Sequence, residues 1–212
     1  MKIACWNVRT MLDSDNNDRD MIKNNIGKKL HALPTGHSDR IMSLRLPLQG
    51  DKSATLVSVY SPMLQADSAV KEAFYGDLHT VITRIDPKDK LIVLGDFNGK
   101  HGLGNCNDNG RLLLQFCSQH QLTITNTLFQ QQDRFKTTWC HPCSKHWHLL
   151  DYILVHQRDA RDAVHTRVMP SADCYTDHRL VHAKLAFTFK PPPKKKGPQT
   201  KKLQVHRLHQ VR

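Results

Sequence analysis

Long hydrophobic runs are absent from this 212-residue sequence. The apolar run at residues 3–6 is too short for a signal-peptide core, and no other run approaches the length of a membrane span. The six cysteines do not read as the disulfide framework of a small secreted domain, because the chain is longer than such domains and has no secretion signal. We therefore expect an intracellular protein that works in a reducing compartment and does not bind membranes.

Acidic residues are also scarce. The chain has 31 lysines and arginines against 19 aspartates and glutamates, and its formal net charge is +12. Eight of the basic residues lie between Lys190 and Arg212, a Pro- and Lys-rich segment that has no acid. This excess favours a polyanionic partner such as DNA, and the Lys-rich tail favours a nuclear location. A tail that only improves solubility remains the alternative.

The hydrophobic pattern predicts one domain over residues 1–189, followed by the tail at 190–212. Apolar residues at three- and four-residue spacing, including Val70, Phe74 and Leu78, predict a helix over 67–85, and a second helix is expected over 108–120. Strands are expected at 2–8, 41–48, 54–60, 90–96, 122–127, 136–139, 149–155 and 178–189. Residues 13–29 are polar and are expected to be irregular. Strands outnumber helices, which favours an α+β fold with sheet packed on sheet and helices outside.

Polar residues that suit metal and phosphate chemistry stand at the ends of several predicted strands. A single aspartate after an apolar strand is more often a turn or cap residue than a functional one. Acidic and amide groups together with one histidine, however, have the chemistry to hold a hard divalent cation and to activate water. The candidate set is Asn7, Tyr60, Asp96, Asn98, Asp151, Asp177 and His178.

The sequence blocks around these residues resemble those of the endonuclease/exonuclease/phosphatase superfamily, in the same order. Further blocks at residues 106–110, 123–127 and 145–148 resemble the LINE-type (non-LTR) retrotransposon endonuclease domains of craniofacial-development-protein-2-like sequences. The resemblance covers nearly everything from Met1 to about Phe189, and it implies a four-layer α/β sandwich with the site between two sheets. The blocks that carry it are Trp6-Asn7-Val8, Val59-Tyr60-Ser61-Pro62, Gly95-Asp96-Phe97-Asn98, Leu150-Asp151-Tyr152 and Ser171 to His178.

The resemblance also implies a catalytic role for five of the candidate residues. Asp96 would orient and deprotonate the attacking water, and Asn98 would contact that water and the phosphate. His178 would hydrogen-bond a phosphoryl oxygen while Asp151 fixes the orientation of its ring, since a carboxylate selects one imidazole tautomer. Tyr60 would donate a hydrogen bond to the phosphate. The implied reaction is hydrolysis of a DNA phosphodiester.

For the metal, the resemblance implies Mg²⁺ or Mn²⁺, with Asn7 and Asp177 close to the ion. It also implies a glutamate ligand on the second strand, but no glutamate occurs between Val8 and Leu30. The segment 13–29 replaces a helix and strand of the family, so the domain is expected to be incomplete in its N-terminal half. Loss of a ligating charge would cost orders of magnitude in rate. We therefore expect an impaired endonuclease.

Competing interpretations remain open. Cys140, Cys143, His146 and His148 have a spacing that would permit zinc ligation, although the His-Trp-His at 146–148 belongs to the ordinary family pattern. Trp139 is expected in the core or in the wall of the site. A non-catalytic nucleic-acid or chromatin binder is the main alternative function, and a related phosphatase is a further one.

Overall fold

The computed structural model describes residues 1–5, 7, 33–102, 104–171 and 176–188. These residues form eleven strands: β1 (Lys2–Cys5), β2 (Thr35–Ser38), β3 (Ile41–Pro47), β4 (Ser53–Tyr60), β5 (Lys90–Asp96), β6 (Leu122–Ile124), β7 (Trp139–Cys140), β8 (Trp147–His148), β9 (Asp151–His156), β10 (Ala163–Met169) and β11 (Leu180–Leu185). The α-helices are α1 (Ser68–Thr83) and α2 (Asp108–Gln119). Short 3-10 helices cover Thr125–Thr127, Asp133–Phe135 and Gln157–Asp162.

The larger sheet has six strands in the order β2-β3-β4-β5-β9-β6. Its centre is the parallel pair β4 and β5, and its other neighbouring strands are antiparallel. Alternate residues of β5 face opposite sides of the sheet. Leu91 and Val93 pack against apolar residues of α1 and α2, which include Leu78 and Leu113. The two helices therefore cover one face of this sheet.

The opposite face of the six-stranded sheet packs against a second sheet, which has three strands in the order β1-β11-β10. Ile92 and Leu94 of β5 meet Ile3 of β1 and Val181 of β11 in this inter-sheet core. The predicted α+β class with two packed sheets is confirmed. Within the described ranges, α1 and α2 are the only α-helices, so no described helix covers the outer face of the three-stranded sheet.

Several predicted boundaries differ from the structure. The strand expected at 122–127 ends at Ile124 and continues as a 3-10 turn, because Thr125 Oγ1 donates a hydrogen bond to the carbonyl of Ile153 instead of extending the ladder. The strand expected at 136–139 begins only at Trp139. Val70 was expected to face the core but is 44% exposed. The segments 13–29 and 190–212 lie outside the described residues.

Three strands of the structure were not predicted, because their residues lack a clear apolar pattern. β2 has no apolar residue, and β8 is only two residues long. β10 carries a register shift between Ala163 and His165, which turns Val164 outward and breaks the alternation of its apolar residues.

No helix in the described part of the chain is both long and apolar enough to cross a membrane.

Candidate active site

Two buried carboxylates lie side by side at the end of the inter-sheet core. Asp96 ends β5, Asp151 begins β9, and the two residues are direct partners in the antiparallel register. Both lie on the strand face that carries Ile92 and Ile153 into the inter-sheet core. Burial, and then the charge of Asp151, raise the pKa of Asp96 to about 7. Asp96 can therefore accept a proton near neutral pH.

His178 lies between these carboxylates. Its Nδ1 is 2.9 Å from Oδ2 of Asp151, and its Nε2 is 3.9 Å from Oδ2 of Asp96. Burial alone would lower the pKa of His178, but the hydrogen bond to Asp151 and the charges of Asp151, Asp96 and Asp177 outweigh it, so the pKa is raised. The ring therefore favours its charged form, with Nε2–H directed toward the side of Asp96.

Two asparagines fix the Asp96 carboxylate. Asn7 Nδ2 donates to Oδ2 of Asp96 at 2.9 Å, and the backbone N–H of Asn98 donates to Oδ1 at 2.8 Å. Asn98 has a φ of 47°, a left-handed conformation that asparagine tolerates better than most residues. Its side-chain Nδ2 donates to the carbonyl of Ser61 at 2.8 Å. Both oxygens of Asp96 are thus held by donors from different segments.

Tyr60 and Asp177 lie at the rim of the same site. Tyr60 is the register partner of Asp96 in the parallel pair β4–β5, and it is 43% exposed. Asp177 precedes His178, and its Oδ2 accepts a hydrogen bond from Trp139 Nε1 at 2.6 Å. The seven residues singled out by their positions at strand ends therefore gather at one end of the inter-sheet core.

Two supporting residues had no individual role in the sequence interpretation. Asn109 is buried near the start of α2, and its Nδ2 donates to the carbonyls of Pro62 (3.0 Å) and Asn98 (3.2 Å). Thr138 Oγ1 accepts from the backbone N–H groups of Leu150 and Asp151. Asn109 belongs to the block at residues 106–110 that resembles the family, but its position in a helix's first turn is equally typical of a cap.

One wall of the site is formed by the ribbon of β7 and β8. Trp139 and His148 are register partners whose rings stack, with centroids 5.9 Å apart. Trp139 also forms a bridge with His178, which agrees with its expected place in the wall. Burial, and then the charge of Lys100, lower the pKa of His148, and its Nε2 lies 3.3 Å from the Lys100 ammonium. A neutral ring can accept that hydrogen bond, which leaves the lysine charge beside the site.

Metal-ligating side chains gather at this site. Among the described residues, the only group of three or more that brings ligand atoms within 4.8 Å of one another is Asp96, Asp151 and His178. Oδ1 of Asp151 is buried and has no hydrogen-bond partner in the described part of the chain. Adjacent carboxylates with amide groups beside them suit a hard divalent cation. The only glutamate of the chain, Glu72, is exposed on α1 and does not belong to this group.

The cysteine–histidine segment does not form a comparable group. Within the described ranges, Cys140 and Cys143 do not come together with His146 and His148 at ligand distance. Instead, Nδ1 of His141 accepts hydrogen bonds from the backbone N–H groups of Cys143 and Ser144 and closes a turn. The cysteines and histidines whose spacing would permit zinc ligation therefore lie in and beside the turn of the β7–β8 hairpin.

Comparisons with known proteins agree with this architecture. Residues 54–182 match a family model described as endonuclease-reverse transcriptase. The chain is 37% identical over 175 residues to craniofacial development protein 2 of Bos taurus, in an alignment that covers 76% of this chain but only 29% of that protein.

Two solved structures share the fold. The endonuclease domain of TRAS1, a telomere-specific non-LTR retrotransposon, has a TM-score of 0.56 at 17% identity, over 70% of this chain and 64% of that one. A 3′ phosphatase from Neisseria, solved with a product DNA hairpin, has a TM-score of 0.53 at 20% identity, over 74% of this chain and 68% of that one.

Proposed function

The chain belongs to the endonuclease–reverse transcriptase family, within the endonuclease/exonuclease/phosphatase superfamily, and we propose that it hydrolyses phosphodiester bonds of DNA with Mg²⁺ or Mn²⁺. The observation that carries this proposal is the buried linkage of Asp96, His178 and Asp151 at the end of the inter-sheet core. In this linkage Asp96 would accept a proton, His178 would donate a hydrogen bond, and Asp151 would hold the His178 ring in place.

The chemistry follows from the protonation states of this linkage. Asp96, with a pKa raised to about 7, removes a proton from the attacking water, because a general base works best when its pKa is near the operating pH. The charged His178 ring donates from Nε2 to a phosphoryl oxygen, where negative charge grows in the transition state. Asp151 keeps that ring in one orientation through Nδ1. Asn98 would contact the attacking water and the phosphate, and Tyr60 would donate a hydrogen bond to the phosphate.

The cation would be held by Asn7 and Asp177 beside the water that Asp96 activates. When bound, it supplies positive charge that stabilises the pentavalent phosphate. A magnesium site usually keeps several waters beside one or two carboxylates. Because no glutamate joins this group in the described part of the chain, we expect weak cation binding and slow hydrolysis.

Conversion of a supercoiled plasmid to the nicked form tests this proposal. The full chain should nick with Mg²⁺ or Mn²⁺ and not with EDTA. Asp96→Asn removes the water-activating carboxylate, and its rate should fall by about 10² or more. Asp108→Asn, an exposed aspartate paired with Arg111 on α2, is the matched control and should keep the wild-type rate. Nicking that survives Asp96→Asn would contradict the assignment of the site.

A non-catalytic nucleic-acid binder is the second candidate, and the site without a glutamate favours it. In that case the chain should bind DNA without cutting it, and grafting the family's helix and strand with its glutamate between Asp13 and Leu30 should restore nicking. A phosphatase would instead release phosphate from a 3′-phosphorylated oligonucleotide while leaving plasmid intact. The Lys-rich segment 190–212 favours the nucleus as the place of action for either nucleic-acid function.

A further inference from the structure

The outer face of the three-stranded sheet carries two cross-strand rows of basic residues. Lys2 of β1 is the register partner of Lys184 of β11, which pairs in turn with His165 of β10. The next row on the same face joins Ala4, His182 and Arg167. Lys2, Lys184 and Arg167 are exposed, whereas the intervening residues of these strands are buried in the inter-sheet core.

These rows continue toward the active site through aromatic contacts. The guanidinium of Arg167 lies 5.1 Å from the ring centroid of Phe135, and that of Arg134 lies 4.7 Å from the same centroid. One ring thus holds two arginines in place. Arg179 Nη1 lies 3.5 Å from the carbonyl oxygen of Arg134. This contact joins the two arginines on Phe135 to the loop that precedes β11.

The basic residue of this group that lies nearest to the active site is Arg179, which directly follows His178 in the chain. Its guanidinium lies 3.3 Å from the ring centroid of Trp147, and its backbone N–H donates to the carbonyl of Thr138. Trp147 is 40% exposed. In the β7–β8 ribbon, Trp147 pairs with Cys140, one position from the Trp139–His148 pair that walls the site, so its ring lies on the other side of the ribbon. We call Lys2, Lys184, Arg167, Arg134 and Arg179 the basic stripe.

The positive charges of the basic stripe repel one another, and a bound polyanion would relieve that repulsion. No ion pair joins any of its five members to an acid within the described ranges. Like charges that are directly opposite on neighbouring strands, as Lys2 and Lys184 are, destabilise a sheet. A polyanion laid along the stripe would turn this repulsion into attraction and release counterions.

We propose that the basic stripe binds a single-stranded nucleic acid that leaves the active site, with its phosphates on the arginines and lysines and an unpaired base on Trp147. The proposal rests on the proposed function only for the direction of the strand, and binding itself needs neither the metal nor hydrolysis. An exposed aromatic ring among cations is the combination by which proteins hold single strands, because every base offers a face for stacking. Away from its ends, a duplex keeps its bases stacked on one another and offers no base face to Trp147.

The stripe can be tested by equilibrium binding of a labelled single-stranded oligonucleotide to the full chain in EDTA. The variant is Arg134→Gln/Arg167→Gln/Lys184→Gln. The matched control, Lys52→Gln/Arg84→Gln/Lys88→Gln, removes three exposed cations elsewhere and leaves the same net charge. Removing three phosphate contacts should make the negative slope of log K against log salt shallower by about 2. The control should leave the slope unchanged, and thermal unfolding verifies that both variants fold.

Trp147→Ala tests the single-strand assignment. It should weaken the binding of a single strand by about fivefold or more and leave a blunt duplex unaffected. Equal salt slopes for the stripe variant and its control would overturn the proposal, and an equal loss for single strand and duplex with Trp147→Ala would overturn the single-strand assignment. A chain that never nicks plasmid but shows the slope change keeps the stripe and loses only the hydrolytic function.

Discussion

Replacing Asp96 by asparagine should stabilise the metal-free protein at alkaline pH while it removes activity. The buried Asp96 carboxyl lies opposite Asp151, and its pKa is raised from 3.8 to about 7. A shift of this size corresponds to a cost on the order of 4 kcal/mol for the charged form in the folded state. An asparagine carries no charge, and it can still accept the hydrogen bond from the backbone N–H of Asn98.

The direction of the pH dependence follows from the sign of the shift. Because the folded pKa of Asp96 lies above the unfolded one, wild-type stability should fall as the pH rises from about 4 to about 7 and stay low above that range. His178, whose pKa is also raised, adds a loss of stability as the pH rises past its ordinary value of 6.5. The gain from Asp96→Asn should therefore be near zero at about pH 4 and reach a few kcal/mol at about pH 8.

Urea unfolding in EDTA at these two pH values measures the effect, with Asp108→Asn as the exposed control. Added Mg²⁺ should stabilise the wild type, because a ligand that binds only the folded state raises its unfolding free energy. The reasoning is refuted if the variant is no more stable than wild type at about pH 8, or if the two differ equally at both pH values.

Four further predictions address the site, the fold and the tail. His178→Ala should lower nicking by about 10², whereas Asp151→Asn should lower the pKa of His178 by removing the largest of the causes that raise it, which NMR titration of the ring measures directly. Gly95→Ala should destabilise the fold by several kcal/mol in chemical unfolding, since a Cβ at φ 152° would meet the Val59 carbonyl oxygen at 1.8 Å; near-wild-type stability would mean that β4 and β5 can separate there. Deleting residues 190–212 should remove most DNA affinity at about 50 to 200 mM salt, and unchanged binding would exclude the tail as the main electrostatic contact.

Much of the site could be predicted because its residues stand at strand ends. Asp96 closes the apolar run of β5, and Asp151 opens that of β9. The ladder behind them fixes the positions of residues at strand ends, so side chains from neighbouring strand ends meet at one edge of the sheet. The contributions of Asn109 and Thr138 could not be predicted in the same way, since each acts through backbone groups of segments distant in the chain.

Local sequence patterns determined the helices, the central strands and the identity of the acidic and amide groups at the strand ends. Apolar periodicity and strand length depend on residues that are neighbours in the chain. Tertiary structure alone decided which strands are neighbours. The register that places Asp96 opposite Asp151, and the packing that sets His178 between them, raise the pKa values on which the proposed chemistry depends. The same holds for the basic stripe: strand pairing aligns Lys2, Lys184 and Arg167, and contacts with aromatic rings and a backbone carbonyl add Arg134 and Arg179. Electrostatic coupling depends on distance and burial in space, and neither is contained in a linear pattern.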